Sequence, residues 1–223
     1  FRIPALAIEG YEADDLIGTL ARKAEESGFL TYMMTPDKDY GQLVDANTFI
    51  YKPARMGNGT EILGVDEICK KWEITNVGQL IDILGLMGDK VDNIPGIPGV
   101  GEKTAIQLIK QFNNIETLIE NTHQLKGKLK EKVEEHKDLA LLSKKLATII
   151  TDVPIELDEA ELSCREIDKD LVRELFTELE FRRLAQVLIN EELPAEETQT
   201  KVNKPNKNPD QYDMFAVQED EKI

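Results

Sequence analysis

The chain has 223 residues, of which 41% are hydrophobic, and a formal net charge of −16. This length suffices for one large domain or two small ones, and no apolar run is long enough to predict a membrane span or a signal peptide. Two cysteines and two histidines are too few for a dense disulfide framework or a histidine-rich zinc site, so we expect reduced thiols in a cytoplasmic protein.

The acidic balance disfavours a phosphate-rich partner such as nucleic acid, but the charge is unevenly distributed. Residues 191–223 hold nine acids and four bases, whereas residues 102–150 hold seven acids and nine bases, a local net charge of +2. Clustered carboxylates that bind divalent cations would also add to the negative total. The net charge therefore weakens a nucleic-acid function without excluding it.

The first quarter of the chain predicts alternating strands and helices. The apolar run Ile3–Ile8 predicts a buried strand, and a helix follows from the motif GYEADD at residues 10–15 to a stop signal at Ser27–Gly28. Residues 29–35 and Thr48–Tyr51 predict two further strands. Short strand–helix–strand connections are typical of a parallel sheet, so the predicted fold class is α/β, a parallel sheet flanked by helices.

Acidic residues gather in three short motifs, each next to an apolar segment. One begins the first helix, one follows the second strand, and one follows a helix predicted over Val77–Met87. Each motif alone has an ordinary explanation, because acids complement a helix N-terminus and aspartates are common in turns. Their repetition instead favours one shared site at a sheet edge. The residues are Glu12, Asp14, Asp15, Asp37, Asp39, Asp89 and Asp92.

Seven carboxylates brought together could not all ionise without cations between them. Oxygen ligands without histidine or thiolate select Mg²⁺ or Mn²⁺ over zinc, and two such ions roughly 4 Å apart would promote an in-line attack on a phosphodiester. Asp37 and Asp39 are two residues apart, so they point the same way if their segment is extended. An aspartate-dependent phosphatase with Asp37 as nucleophile is an alternative, although it does not explain the glycine-rich turn that follows.

The stretch IPGIPGVGEKTA at residues 94–105 predicts a helix–hairpin–helix. Gly99 and Gly101 permit positive φ and the close approach of a foreign backbone, while a helix over Lys103–Phe112 presents free N–H groups. Such a turn would bind nucleic-acid phosphates through its amides, Lys103 and Thr104. A tight interhelical turn and a nucleotide-phosphate loop are the alternatives, but the P-loop spacing is absent because Glu102 stands where lysine is required.

The second half of the chain predicts helices over residues 115–145, an extended segment over 148–154, and two closing helices over Asp170–Phe176 and Phe181–Ile189. Residues 191–223 have the composition of a disordered linker. A basic strip on the first of these helices would lie along a phosphate backbone or form a solvated face. It consists of Lys126, Lys128, Lys130 and Lys132.

Taken in order, the motifs GYEADD, TPDKD and GDKVDNIPGIPGVGEKTA resemble the 5′-nuclease domain of bacterial DNA polymerase I, within the flap endonuclease family. The resemblance covers about residues 1–190. It implies part of a PIN-like α/β catalytic core over residues 1–90 and a helix–hairpin–helix subdomain with closing helices over 91–190. It also implies an acidic linker over 191–223 toward exonuclease-like and polymerase domains of the same polypeptide. The implied activity is removal of 5′ flaps and RNA primers from flapped, nicked or RNA-primed duplex in replication and repair.

The resemblance assigns all seven carboxylates to a site for two Mg²⁺ or Mn²⁺ ions, as ligands or as groups that hold the ligands. It also assigns a hairpin that binds DNA phosphates and whose carbonyls can hold K⁺. Relatives begin with a strand bearing an aspartate, followed by basic arch residues, so we expect this fragment alone to have little nuclease activity. A non-catalytic DNA-binding module is therefore the main alternative. The hairpin residues are Gly96, Gly99, Gly101, Lys103 and Thr104.

Overall fold

A computed structural model describes residues 1–53 and 59–190. The chain divides into two compact units. The larger unit runs from Ile3 to Cys164 and contains the sheet, the acidic motifs and the glycine-rich turn. The smaller unit joins Phe1–Arg2 to the segment that begins at Arg165. The sequence analysis divides the chain at residue 90 by resemblance to a catalytic core and a DNA-binding subdomain, and that division stays a prediction.

The sheet of the larger unit has three strands within the described residues, in the order β1–β2–β3. Strands β1 and β2 are parallel, as the sequence predicts, and Met33 lies opposite Ile50. Strand β3 is antiparallel to β2, so the sheet is mixed. The strands are β1 (Thr31–Met33), β2 (Thr48–Lys52) and β3 (Glu61–Leu63).

Eight α-helices belong to the larger unit within the described residues. Helix α1 contacts β1, α2 contacts β3, and α3 packs against both α4 and α7. Short 3-10 helices cover Asp39–Leu43 and Thr122–Gln124. The helices are α1 (Ala13–Glu26), α2 (Val65–Trp72), α3 (Gln79–Met87), α4 (Glu102–Phe112), α5 (Ile115–Glu120), α6 (Gly127–Glu135), α7 (Lys137–Ala147) and α8 (Glu159–Leu162).

One continuous core joins the sheet to the helices of the larger unit. Ile50 of β2 and Leu80 and Ile83 of α3 are almost completely buried, and the core extends to Ile109 of α4 and Val133 of α6. Burying each of these side chains contributes about 1.5–3 kcal/mol of transfer free energy. Because the second and third acidic motifs follow β1 and α3, which belong to this core, packing fixes where the backbones of those two motifs lie.

The smaller unit contains α9 (Lys169–Glu178) and α10 (Arg182–Leu188), close to the two closing helices predicted from sequence. Its core consists of four side chains, and the Phe1 ring lies 5.9 Å from the ring of Phe176. Arg2 Nη2 forms an ion pair of 2.7 Å with Asp168 Oδ2, the side chain that caps α9. The four core residues are Val172, Phe176, Ala185 and Ile189.

The strand predicted over Ile3–Ile8 is absent, and this prediction is wrong. Ile3 and Leu6 are 67% and 48% exposed, so the apolar run is not buried. A strand also needs a neighbour for its hydrogen bonds, and among the described residues β1 pairs with β2 alone. Apolar content predicted burial here, but burial requires a partner that local sequence does not specify.

A glycine precedes each of two helices. Gly64 precedes α2, and its N–H donates to Glu67 Oε2 at 2.9 Å. Gly78 precedes α3. The linker predicted over residues 191–223 lies wholly outside the described residues. No helix within the described ranges is long and apolar enough to cross a membrane.

Candidate functional site

The three acidic motifs meet at one cleft of about 560 Å³. Helix α1 brings the first motif, the segment after β1 brings the second, and the loop after α3 brings the third. The last turn of α7 and the extended residues after it form the other wall. The sequence-based expectation of convergence is therefore met by the structure. The acidic residues that line the cleft are Glu12, Asp14, Asp15, Asp37, Asp39 and Asp92.

The seventh carboxylate, Asp89, belongs to a tight cluster with Asp39 and Asp92. One side-chain oxygen from each of the three lies within 4.8 Å of the others. Asp89 and Ile94 exchange backbone hydrogen bonds of 2.9 and 2.7 Å, which close the loop that carries Asp92. The Val91 N–H donates to Asp89 Oδ1 at 2.8 Å. This closed loop holds two carboxylates of the third motif against one of the second.

The segment with Asp37 and Asp39 is a turn, which is the ordinary alternative that aspartate-rich segments allow. Asp37 Oδ1 accepts the Asp39 N–H at 2.9 Å, and a 3-10 helix begins at Asp39. An aspartate side chain that accepts the N–H two residues on is a common turn device. The turn leaves Asp37 exposed and buries Asp39, which is 9% exposed.

Burial dominates the electrostatics of Asp39. Burial raises the pKa of its carboxyl to about 6, and the nearby Lys38 ammonium only partly offsets this effect. Asp39 Oδ1 is buried without a hydrogen bond. The Lys38 ammonium instead hydrogen-bonds Asp89 Oδ2, and this bond lowers the pKa of Asp89. Burial lowers the pKa of Lys38, but the bond to Asp89 and the surrounding carboxylates outweigh burial and leave that pKa raised.

In the first motif, side-chain oxygens of Asp14 and Asp15 already accept hydrogen bonds from the protein. Asp15 Oδ1 accepts the Ile150 N–H at 2.9 Å, and its Oδ2 accepts the Glu12 N–H at 3.2 Å. Asp14 Oδ1 accepts a hydrogen bond of 2.8 Å from the Tyr40 hydroxyl. Burial raises the pKa of the Tyr40 hydroxyl, so Tyr40 is a donor at neutral pH. Asp15 thus joins α1 to the opposite wall, and Tyr40 orients Asp14.

The residues present fit a divalent cation. The donors are carboxylate oxygens without histidine or thiolate, which is the set that Mg²⁺ and Mn²⁺ prefer. Asp39 Oδ1 is a buried acceptor with no hydrogen-bond donor, and such an atom is rare unless a cation or water satisfies it. The three-carboxylate cluster spans 4.8 Å, which suits one ion held by several oxygens.

Sequence reasoning missed two residues that hydrogen-bond the predicted carboxylates, Lys38 and Tyr40, and it missed the cleft wall formed by residues 145–150. Lys38 lies between two predicted ligands, so its proximity was a usable signal. Tyr40 is three residues past Asp37 and carries no chemical signature of its own. The wall at 145–150 comes from packing of α7 on α3, which no local pattern reveals.

The glycine-rich turn connects α3 to α4 through a close backbone crossing. A Cβ on Gly96, at φ +59°, would clash with the backbone of Met87 and Gly88. The Gly96 N–H donates to the buried Ser143 Oγ of α7 at 3.0 Å. Gly96 is therefore required for packing within the protein, and its amide is already occupied.

Three of the remaining hairpin residues, Gly99, Gly101 and Lys103, are exposed. Val100, between the two glycines, is 4% exposed and packs into the core. A Cβ on Gly101 would meet no atom within 4 Å, so that side of the turn is open. Gly99, at φ +78°, lies against the ammonium of Lys132 from α6. Helix α4 begins at Glu102, and its first N–H groups have no intrahelical acceptor.

Two family models match the chain in succession. Residues 1–73 match the 5′-3′ exonuclease N-terminal resolvase-like domain, and residues 75–170 match the 5′-3′ exonuclease C-terminal SAM fold. The fold and the acidic cleft thus define a nuclease family. The chain belongs to the 5′-3′ exonuclease family.

Its similarity extends to bacterial DNA polymerase I. The Bacillus subtilis enzyme is 43% identical over 201 residues, which are 90% of this chain and 23% of that protein. A 5′-3′ exonuclease of Aquifex aeolicus is 37% identical over 182 residues, 82% of this chain and 60% of that protein. The chain therefore spans about a quarter of the length of the Bacillus polymerase that it matches.

Solved structures of a phage nuclease share the fold. The T5 5′-exonuclease with bound zinc has a TM-score of 0.58 and 21% identity, covering 65% of this chain and 52% of that one. The bacteriophage T5 D15 flap endonuclease in complex with DNA and metal ions gives 0.57 and 21%, with the same coverage. At this identity the match supports the fold alone.

Proposed function

We propose that this chain is part of a 5′ nuclease that hydrolyses phosphodiester bonds in flapped, nicked or RNA-primed DNA with two divalent ions. The observation that carries the proposal is the meeting of three acidic motifs at one cleft, with Asp39, Asp89 and Asp92 within 4.8 Å. The family membership and the DNA-bound phage nuclease of similar fold support it. The working location would be the bacterial cytoplasm, on the nucleoid.

The seven carboxylates predicted from sequence would hold the ions, Mg²⁺ or Mn²⁺. When bound, such ions supply an activated water and stabilise the charge on the leaving oxygen. The chain's own groups set the geometry: Asp89 Oδ1 is fixed by the Val91 N–H, and Asp14 by the Tyr40 hydroxyl. Asp15 fixes the start of α1 against Ile150.

The hairpin would bind the DNA backbone next to this cleft. The open side of Gly101 allows a phosphate to approach the first N–H groups of α4, and Lys103 is exposed on the first turn. Gly99 and Thr104 complete the outer surface of the turn, whereas Gly96 supports it from inside. A K⁺ ion held by hairpin carbonyls is part of the same proposal.

Cleavage and binding of a 5′-labelled flap by the full-length polypeptide, with Mg²⁺, tests the proposal. Asp92 is exposed, and its side chain forms no hydrogen bond or ion pair with described residues, so Asp92→Asn should fold normally. We expect Asp92→Asn to cut at least roughly 100-fold more slowly while still binding the flap. Asp66→Asn, which removes an exposed acid from α2, is the matched control and should cut normally.

A second arm of the same assay tests the hairpin. Gly101→Ala adds a methyl group where the protein offers open space, and φ there is −100°, so stability should not change. We expect weaker flap binding because the methyl group would meet the approaching phosphate. Normal cleavage by Asp92→Asn would refute the metal site. Normal binding by Gly101→Ala would refute the hairpin contact.

A further inference from the structure

Lys38 places a positive charge inside the acidic cluster. Its ammonium hydrogen-bonds Asp89 Oδ2 and lies 3.9 Å from Asp39 Oδ1. The Asp89 and Asp39 side chains are 8% and 13% exposed, whereas the Lys38 side chain is 36% exposed. The lysine therefore reaches into a buried pair of carboxylates from a partly open position.

The oxygens that face Lys38 belong to two of the three carboxylates that could hold a divalent ion. Asp89 Oδ1 already accepts the Val91 N–H, so Oδ2, which accepts from Lys38, is its other oxygen. Asp39 Oδ1 has no hydrogen bond at all. A lysine ammonium and a divalent cation cannot share these oxygens closely, because two positive charges 3–4 Å apart repel strongly in a partly buried site.

We propose that Lys38 is a displaceable internal counter-ion that competes with the divalent ion for Asp39 and Asp89 and thereby sets the affinity of the metal site. This inference rests on the proposed function, since it assumes that the cluster binds divalent cations. Lysine suits the role because its ammonium sits on a flexible four-carbon stem with an open path to solvent. Ion binding then requires the ammonium to leave Asp89 and turn outward.

Mn²⁺ binding to the full chain, measured by calorimetry and by electron paramagnetic resonance without DNA, tests the proposal. Lys38→Met removes the competing charge while keeping a similar side-chain length. We expect its Mn²⁺ dissociation constant to fall at least about tenfold. Lys90→Met is the matched control, because Lys90 is exposed in the loop between Asp89 and Asp92 and has no ion pair within the described residues. Its affinity should stay within about twofold of the parent.

A second variant covers the case in which Lys38→Met does not fold. Lys38→Arg keeps the charge, and its guanidinium can bind Asp89 with two parallel hydrogen bonds, so Mn²⁺ affinity should fall several-fold. Unchanged or weaker binding by Lys38→Met, or tighter binding by Lys38→Arg, would overturn the inference while leaving a working metal site. No Mn²⁺ binding by the parent protein would overturn the inference and the proposed function together.

Discussion

Two groups of carboxylates in the larger unit differ in whether every buried oxygen has a hydrogen-bond donor. In the first group, Lys144 of α7 pairs with Asp82 of α3 at 2.6 Å and with Glu116 of α5 at 2.9 Å. Asp82 Oδ1 also accepts the Ile115 N–H at 3.0 Å. In the cleft, Lys38 satisfies Asp89 but leaves Asp39 Oδ1 without a donor.

This difference in hydrogen bonding separates a cluster that stabilises helix packing from one that leaves a buried acceptor unsatisfied. The Lys144 cluster joins three helices. Both of its carboxylates have donors within the protein, so the cluster needs no further cation. The cleft concentrates negative charge around Asp39, and its carboxyl pKa is raised to about 6, mainly by burial. Unfavourable charge of this kind is expected where a protein sacrifices stability for a binding site.

The largest expected effect is on the complete cluster. Lys144→Met leaves Asp82, which is 5% exposed, as a buried charge without its cation, so we expect a loss of about 3–5 kcal/mol in the free energy of unfolding. Urea unfolding at pH 7 measures this loss. Lys145→Met is the matched control, because Lys145 is exposed in the same last turn of α7 and has no ion pair among the described residues. Equal stability of the two variants would show that the cluster does not join the helices energetically.

The sequence predicted the acidic site better than it predicted its surroundings. The sequence alone singles out Asp37, Asp89 and the residues of GYEADD, because carboxylates next to predicted helices and strands can be recognised without knowing the fold. The Lys38–Asp89 contact was not predicted, because it joins residues 51 positions apart. The strand expected at Ile3–Ile8 failed because strand formation depends on a partner.

The hairpin gives the same lesson at one residue. The glycine pattern predicted a hairpin between two helices, and the structure has a turn between α3 and α4, with Val100 in the core. It treated Gly96 as equivalent to Gly99 and Gly101, yet Gly96 is needed for the crossing with Gly88 and gives its amide to Ser143. A pattern of glycines shows where backbones come close, but only the fold shows whether the close backbone belongs to the protein or leaves room for a ligand.

An intermediate effect of opposite sign is expected in the cleft. Asp39→Asn removes a buried charge whose Oδ1 accepts no hydrogen bond, so we expect the free energy of unfolding at pH 7 with a metal chelator to rise by about 1 kcal/mol. The same variant should bind Mn²⁺ more weakly. Asp37→Asn is the control, since Asp37 is exposed and its oxygen can still accept the Asp39 N–H. A loss of stability in Asp39→Asn would mean that the carboxylate is satisfied in the native protein.

The smallest effect is a pH dependence that differs in sign between the two regions. Burial tends to raise the pKa of Glu116, but the bond to Lys144 outweighs it and holds the pKa below the ordinary 4.5. A lowered carboxyl pKa stabilises the fold above the unfolded value, and this stability is lost as the pH falls through the folded value. For Asp39, whose pKa is raised from 3.8 to about 6, stability instead increases as the pH falls from 6 toward 4.

Urea unfolding in the presence of a chelator separates these two contributions. Glu116→Gln should be less stable than the parent at pH 7 by under about 1 kcal/mol, because the Glu116 side chain is 52% exposed and solvent screens the pair. That difference should shrink as the pH falls below 4.5, because the parent's Glu116 then becomes protonated. The advantage of Asp39→Asn should shrink between pH 6 and pH 4, because the parent's carboxyl becomes neutral there. If both stability differences shrank over the same pH interval, the carboxylates of the two groups would have similar pKa values. The proposed contrast between the Lys144 cluster and the Asp39 cluster would then be wrong.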